Sequence, residues 1–422
     1  MQKGVQYARP FKLENMKTIL IICCLFAAPT WAAEAVLGDQ LPALLRYARE
    51  HNPELLAARL DVEAAQQRVA PAGAFADPTL RVELMDVAKQ GSPSLIPSQV
   101  GTTRYYFIQS LPWWGKRDTQ QQAAEAQVAQ NNGQVAATWS DLSNKIKQVY
   151  AQQYFGVLNL ALSKQTLSSL ENLNQLAQTR YANGAGSQQE VIRAQLESSN
   201  LRSELFNQEN ELHHWAARMN VLLARSLNAP LATPSGWRAL PKLPDVSTLL
   251  ARSPLLQSAE ARVLAAEKAR DLVYLNRYPN LNLGIAPNQV GSAVRTWDVM
   301  LELNLPLQQD SRRAQEREAD SNLASAQARK AAVWNQLQAT LSENVSGWET
   351  AQRNLDIARN RLIPQSQFTY QAALTGYSNG RVDFASVLEA QRQVWQAQQQ
   401  QLKAQLELQL RFADIEALLG EE

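Results

Sequence analysis

The sequence has very few of the residues that build disulfides, metal sites and nucleophilic active sites. Of its 422 residues, 2 are cysteine and 3 are histidine. Both cysteines, Cys23 and Cys24, lie in an N-terminal segment that we expect to be cleaved, which would leave the mature chain without disulfides, thiolate ligands or cysteine nucleophiles. His213 and His214 are adjacent, so they point in different directions around a helix, unlike an i,i+4 metal pair. We expect no metal site.

Motifs for catalysis and nucleotide binding are also missing. The sequence has no phosphate-binding loop, dinucleotide fingerprint or nucleophile elbow, and its carboxylates are spread along the chain. We therefore expect a protein that is not an enzyme and needs no cofactor. The 41 Lys and Arg residues nearly balance the 39 Asp and Glu residues, and this lack of a basic excess argues against a nucleic-acid partner.

Long apolar runs are absent as well. No stretch of about 18 apolar residues occurs, so the mature chain is expected to have no transmembrane helix. The N-terminus is instead typical of an export signal, with an apolar core over residues 18–28 and small residues suited to cleavage near Ala32 or Ala33. Residues 1–33 are therefore predicted to be a signal peptide. A buried N-terminal helix and lipidation of either cysteine are the alternatives.

The sequence contains an internal duplication. Four landmarks occur once in each half, in the same order and at similar spacing, which chance explains poorly. The pairs are Asn52–Leu55 with Ser253–Leu256, Asp77–Leu80 with Tyr278–Leu281, Ser110–Pro112 with Asn304–Pro306, and Arg180–Gly184 with Gly376–Gly380. We predict a first structural repeat over residues 34–242 and a second over residues 243–422. A proline-rich linker, Asn228–Pro244, lies where the two repeats join.

Hydrophobic periodicity predicts the same order of elements in each repeat: a helix (43–75; 248–277), two strands, a very long helix, a short turn and another long helix. The scarcity of glycine (17) and proline (18) favours such long helices. In the first repeat the strands are expected at about 79–87 and 100–111, and the long helices at about 114–180 and 187–226. In the second repeat the strands are expected at about 280–286 and 294–305, and the long helices at about 310–376 and 382–419.

The strands alternate apolar and polar side chains with a period of two, as Val299, Leu301 and Leu303 do. An ordinary half-buried hairpin would give the same pattern. Strands that cross a bilayer are favoured by the export signal and by a length of about 9–12 residues. They are also favoured by Trp113 and Trp114 at a strand end, where aromatic residues anchor membrane interfaces, although core packing of this tryptophan pair is an alternative.

Four strands are too few to close a barrel, for which about eight is the minimum, and lipid does not tolerate an open sheet edge. If these strands cross a membrane, several chains must therefore share one barrel. Two chains would fill its interior with side chains, whereas three would leave a lumen, as a transport role requires. The long helices would extend beyond the membrane, and their narrow apolar stripes are typical of coiled-coil-like packing in a tube wall.

This duplicated layout resembles the TolC family of outer-membrane efflux factors. The resemblance covers nearly the whole mature chain, and the Ser110–Arg117 stretch is most similar to the heavy-metal branch, the CzcC-like and CusC-like factors. It is carried by Asn52-Pro53-Glu54, Asp77-Pro78-Thr79-Leu80, Leu111-Pro112-Trp113-Trp114-Gly115-Lys116-Arg117, Tyr181-Ala182-Asn183-Gly184 and Tyr377-Ser378-Asn379-Gly380. The family implies a mainly α fold with a small β part. In this fold, the duplicated long helices form a coiled-coil α-barrel in the periplasm. The four strands of each chain contribute to a trimeric, twelve-stranded barrel in the bacterial outer membrane.

The resemblance also implies a function, passive conduction of substrate to the exterior as part of a tripartite efflux system. The expected partners are two further copies of the chain, a periplasmic adaptor (membrane fusion) protein, an inner-membrane pump of the resistance-nodulation-division type, and outer-membrane lipid. Metal cations or small toxic compounds are the expected cargo. Two alternatives stay open: the exit duct of a type I protein secretion system, and a periplasmic coiled-coil scaffold without a pore.

Site residues follow from the same resemblance. The turns at Asn183-Gly184 and Asn379-Gly380 correspond to the adaptor-docking tips, where glycine supplies backbone freedom. Glu190, Ser386 and Glu389 match positions that narrow the pore, and three copies of Glu389 would form an acidic ring suited to cations. Arg193, Arg381 and Asp383 are expected to form gate salt bridges. For each residue taken singly, a solvated helix surface is the alternative.

Overall fold

The structure is a computed structural model and describes residues 37–88, 91–237 and 250–420. The expected signal peptide, residues 1–33, lies outside these ranges, as does part of the predicted linker between the repeats.

The fold is mainly helical with one small sheet, which confirms the expected fold class. The helices are α1 Leu41–His51, α2 Pro53–Gly73, α3 Lys116–Ala182, α4 Gln188–Leu222, α5 Pro254–Leu275, α6 Gln309–Ile357, α7 Ile363–Ser378 and α8 Phe384–Leu419. The strands are β1 Thr79–Met85, β2 Thr102–Leu111, β3 Asn280–Val290 and β4 Ala293–Asn304. Both halves place a strand pair between a shorter helix and a pair of long antiparallel helices, so the element order repeats along the chain.

Prolines interrupt two helices that the periodicity predicted as continuous. The helix expected over 43–75 is two helices, because Asn52 caps α2 by accepting hydrogen bonds from the backbone N–H groups of Glu54 (2.9 Å) and Leu55 (3.1 Å), and Pro53 opens that helix. The long helix expected over 310–376 contains a π-helical turn, Ala358–Leu362, between α6 and α7. Pro364 follows this turn and has no N–H to donate, so the backbone widens locally.

The 67-residue helix α3 is the longest element and packs against α2, α4, α5 and α8. At about 1.5 Å per residue it spans roughly 100 Å. The core is divided into separate clusters along this length. One cluster joins α1, α3 and α4 around Tyr150, a second lies between α5, α6 and α8, and a third joins the helix ends around Tyr377. Such narrow cores leave most of the helix surface polar. Among the described helices, none is both long enough and apolar enough to span a bilayer.

A buried ion pair holds the two repeats in register where α3 meets α8. Lys147 donates to Glu416 over 3.0 Å, and both side chains are almost fully buried. Asp414 accepts hydrogen bonds from Asn144 (2.9 Å) and Gln148 (2.7 Å) beside it. Because removing one partner of a buried pair leaves an uncompensated charge, this contact strongly disfavours sliding of one helix along the other.

The four strands form one antiparallel sheet in the order β1-β2-β3-β4, so the hairpins of the two repeats join at the β2–β3 pair. The ladder between β2 and β3 skips the positions opposite Ala286 and Pro287, because proline has no N–H to donate there. Strand β3 nevertheless extends to Val290, beyond its expected end at residue 286, and a two-residue turn with Gly291 at φ +63° connects it to β4. Strands β1 and β4 are the two edges of this sheet.

Candidate functional site at the helix tips and the sheet

The two turns that end the long helices have the same backbone geometry. In the first turn, Ala185 N–H donates to the Arg180 carbonyl (2.8 Å) and Gly184 is at φ +69°. In the second, Arg381 N–H donates to the Gly376 carbonyl (2.8 Å) and Gly380 is at φ +67°. This is the hydrogen-bond pattern of a Schellman cap, which requires a left-handed residue after the helix. A Cβ at either glycine would meet nothing within 4 Å, so the positive φ and not crowding demands glycine.

Tyr377 joins the two helical hairpins at these tips. Its hydroxyl donates to Glu190 Oε2 on α4 over 2.7 Å, and its ring is 2% exposed. Burial and this hydrogen bond raise the pKa of Tyr377 to about 12. Arg180, at the end of α3, lies over the ring at 4.6 Å and donates to the Tyr377 carbonyl (3.0 Å) and the Ala185 carbonyl (3.0 Å). One aromatic residue of the second hairpin is therefore held by two charged residues of the first.

Asp383 begins α8. Its carboxylate accepts from the backbone N–H of Ser386 (3.1 Å) and from the Ser386 hydroxyl. These hydrogen bonds, with a smaller contribution from the nearby Arg193, lower the pKa of Asp383. The structure therefore places Asp383 and Ser386 together as a helix cap. Arg193 lies near enough to act on Asp383 electrostatically, while Arg381 is exposed in the turn. The gate salt bridges expected of Arg193, Arg381 and Asp383 stay a prediction.

Glu389 lies further along the exposed face of α8. Its carboxylate is 3.6 Å from Arg392, and the same guanidinium is 3.3 Å from Glu197 on α4. Arg392 thus links Glu389 on α8 to the helical hairpin formed by α3 and α4. Each of the Glu190 and Glu389 carboxylates has its own partner within the chain, since Glu190 accepts from Tyr377 and Glu389 pairs with Arg392. The assignment of Glu190, Ser386 and Glu389 to a pore constriction stays a prediction.

Sequence reasoning missed Tyr377 and Arg180 as members of the tip. Both residues lie in the repeated landmark that pairs Arg180–Gly184 with Gly376–Gly380, so the sequence indicated their positions but not their contacts. Tyr181 is the equivalent of Tyr377 in the first repeat and is 49% exposed. Aligning the two repeats in sequence makes these tyrosines equivalent. They differ in burial only because the two repeats pack against each other.

The sheet carries most of its large apolar side chains on one face, while Tyr106, Ile108 and Met300 lie on the other. The register pairs Leu80 with Phe107, Phe107 with Ile285, and Ile285 with Val299, which places these side chains on one side. Much of this face is exposed in the single chain, and the Val299 side chain is 81% exposed. Its members are Leu80, Val82, Leu84, Tyr105, Phe107, Leu111, Leu281, Leu283, Ile285, Trp297, Val299, Leu301 and Leu303. The opposite face has a small buried cluster around Ala286 and an ion pair between Arg104 and Asp298 (3.5 Å).

The two tryptophans after β2 lie at the end of the sheet where the helices begin. Trp113 is half-buried and stacks on Tyr278 at 5.2 Å, while Trp114 packs edge-on against Trp113 and is 78% exposed. An exposed ring at the border of an apolar sheet face suits an interfacial anchor, which stays a prediction. Among the described residues, no three His, Cys, Asp or Glu side chains gather as metal ligands would.

A duplicated pair of long helical hairpins joined to a sheet with one exposed apolar face is the architecture of an outer-membrane channel subunit. The chain belongs to the outer membrane efflux protein family, whose family model matches residues 44–225 and 246–421. These two matched segments coincide closely with the two halves of the duplication. Recognition of the family from the sequence is thereby confirmed.

Curated relatives and solved structures agree with this assignment. The chain is 26% identical to the pyoverdine export outer membrane protein OpmQ of Pseudomonas putida, over 92% of this chain and 87% of that protein. It is 23% identical to the cobalt-zinc-cadmium resistance protein CzcC of Cupriavidus metallidurans, over 87% of each protein. Its fold is similar to the outer membrane protein VceC of Vibrio cholerae, with a TM-score of 0.79, 19% identity and coverage of 90% of this chain and 96% of VceC. For CusC the TM-score is 0.78, with 17% identity and coverage of 92% and 94%.

Proposed function

We propose that this chain is one subunit of a homotrimeric outer-membrane channel in a tripartite efflux system. In this proposal, substrate passes passively from an inner-membrane pump of the resistance-nodulation-division type, through a periplasmic adaptor, to the exterior. Membership of the outer membrane efflux family supports the location and the type of activity.

The observation that carries the proposal is the exposed apolar face of a sheet with two free edges. Water disfavours so many exposed aliphatic side chains, and a lipid surface would bury them. Lipid, however, does not tolerate the unpaired backbone groups of β1 and β4. Both requirements are met if β4 of one copy pairs with β1 of the next, and three copies would close a barrel of about twelve strands with a lumen.

The helical part suits the periplasmic duct of such a channel. The hairpins reach far from the sheet and end in the two tip turns, at Asn183-Gly184 and Asn379-Gly380, which we propose as the adaptor-docking surface. Glu190, Ser386 and Glu389 lie within about two helical turns of these tips. Three copies of the exposed Glu389 would surround the lumen with negative charge and favour cations.

Metal cations or small toxic compounds are the proposed cargo. The resemblance of Ser110–Arg117 to the heavy-metal branch and the relative named for cobalt-zinc-cadmium resistance support metal cations. The relative named for pyoverdine export supports a wider range of small exported compounds.

The decisive experiment combines membrane fractionation, heat-modifiable gel migration and planar-bilayer conductance of the full chain. We expect an outer-membrane trimer that dissociates on boiling and conducts ions. A water-soluble monomer with no conductance would overturn the proposal. Leu301→Arg, on the apolar face, should cost about 2–4 kcal/mol per chain in lipid and reduce the heat-stable trimer. Glu302→Arg, on the opposite face, is the matched control and should still assemble.

A further inference from the structure

A polar cavity of about 290 Å³ lies where the sheet meets the helices. It is formed by the start of α3, the start of β3, the end of β4 and the first turn of α6. Its lining includes Lys116, Asn280, Asn304, Gln308, Ser311 and Arg312, and none of its described lining residues is acidic. Two cations therefore share a cavity whose remaining polar groups are amides and hydroxyls.

Neither cation has a carboxylate partner in the cavity. Lys116 Nζ donates to Asn280 Oδ1 over 3.3 Å, and burial, with repulsion from Arg312, lowers the pKa of the Lys116 ammonium. Arg312 donates through one terminal nitrogen to the Asn276 carbonyl, while its Nε is buried and has no hydrogen-bond acceptor among the described residues. The guanidinium of Arg312 thus lines the cavity without a carboxylate to balance its charge.

The nearest carboxylate is already held by another cation. Glu316 lies one turn along α6 from Arg312, but it accepts from both Nε and Nη2 of Arg277, the latter over 2.6 Å. These bonds, more than Arg312, lower the pKa of Glu316. Glu316 is therefore committed to Arg277 and leaves the positive charge of the cavity largely uncompensated. The N-terminal end of the 49-residue helix α6 adds partial positive charge at the same place.

The cavity lies on the polar side of the sheet. Asn280 and Asn304 are cross-strand partners, and the next pair, Leu281 with Leu303, belongs to the apolar face. Because neighbouring residues of a strand point to opposite faces, the two asparagines lie on the side away from that apolar surface. In the proposed channel this is the aqueous side.

We propose that this cavity binds a phosphate-type oxyanion, held by the ammonium of Lys116, the guanidinium of Arg312 and the amides of Asn280 and Asn304. Charge-assisted hydrogen bonds from an ammonium and a guanidinium are the strongest that proteins make to such groups. The oxyanion is either a free ion in the aqueous lumen or the phosphate of a lipid headgroup, and the position on the polar face favours the free ion.

The test is binding of inorganic phosphate to the detergent-purified full chain, measured by equilibrium dialysis at low ionic strength. We expect saturable binding of about one phosphate per chain, weakened at least tenfold by Lys116→Met and by Asn280→Asp. Asn280→Asp changes the volume little and places a carboxylate beside Lys116, so it should preserve folding while excluding the anion. Lys268→Met is the matched control, because Lys268 also donates to an amide oxygen, that of Gln122 (3.0 Å), but lies outside the cavity.

The possible results distinguish a free oxyanion from a lipid headgroup, and both of these from the absence of an anion site. Phosphate binding by the wild type, with total lipid phosphorus unaffected by Asn280→Asp, identifies a free oxyanion. A fall in co-purified lipid phosphorus in Asn280→Asp identifies a headgroup. No saturable phosphate binding with unchanged lipid phosphorus overturns the proposal, as does equal binding by the wild type, Lys116→Met and Asn280→Asp. Neither phosphate binding nor lipid phosphorus depends on conductance. The anion-site proposal can therefore be refuted without refuting the channel proposal, and the reverse.

Discussion

Replacing Tyr377 with phenylalanine should loosen the helix tips without disturbing their packing. The substitution removes one hydroxyl, which donates to Glu190 over 2.7 Å, and keeps the ring that packs on Phe384 (5.3 Å) and under Arg180. A hydrogen bond to a charged acceptor contributes about 1.5–3 kcal/mol, and Glu190 is only partly buried, so the lower half of this range applies. About 2 kcal/mol per subunit corresponds to roughly a thirtyfold increase in opening of that contact.

Hydrogen exchange at the tip peptides, followed by mass spectrometry, measures this opening directly. Exchange should accelerate by roughly thirtyfold in the two tip turns, if exchange there is limited by the opening of this contact, and stay unchanged where Lys147 meets Glu416. Tyr181→Phe, at the equivalent and exposed position of the first repeat, is the control. If Tyr377→Phe and Tyr181→Phe behaved alike, the tip contact would contribute nothing and the reasoning would be refuted.

Alkaline titration tests the same contact independently. The pKa of Tyr377 is raised from 10.0 to about 12, so the folded tip holds this proton more tightly than the unfolded chain does. The resulting stabilisation is fully present below about pH 10 and is lost as pH rises through about 12. The protection of the tip amides, corrected for the general rise of amide exchange with pH, should therefore fall over this window in the wild type. The alkaline step should be absent in Tyr377→Phe, and its persistence there would show that another group titrates.

Three further predictions address other parts of the fold. Gly380→Ala should cost about 1–2 kcal/mol, because alanine is strained at φ +67°, whereas Gly236→Ala, which has open space and no positive φ, should leave the thermal midpoint unchanged. Lys147→Met should cost about 3–5 kcal/mol by breaking the buried pair with Glu416, and adding Glu416→Leu should restore part of this loss in chemical unfolding. Glu389→Gln should reduce the cation preference of the reversal potential, and an unchanged preference would remove Glu389 from the constriction.

Local signals in the sequence determined much of this protein. The repeated landmarks predicted two halves with one element order, and the family model matches one segment in each half. Period-two alternation located the strands, since neighbouring side chains point to opposite faces whatever the sheet pairs with. Glycine after each long helix predicted the tip turns, because a left-handed cap is set by a single residue. Prolines 53 and 364 were equally local signals, and their effect on the helices was underestimated.

Only the tertiary structure decided which residues from the two halves meet. Glu190 and Tyr377 are 187 positions apart, and no local pattern links them. Packing of one hairpin against the other buried Tyr377 and left its sequence equivalent, Tyr181, exposed. The same holds for Lys116 and Arg312. They share a cavity because β2, which leads into α3, and β4, which leads into α6, lie on either side of β3 in the sheet. Periodicity and caps act over a few residues, whereas burial and charge pairing depend on distances in space that the folded chain alone sets.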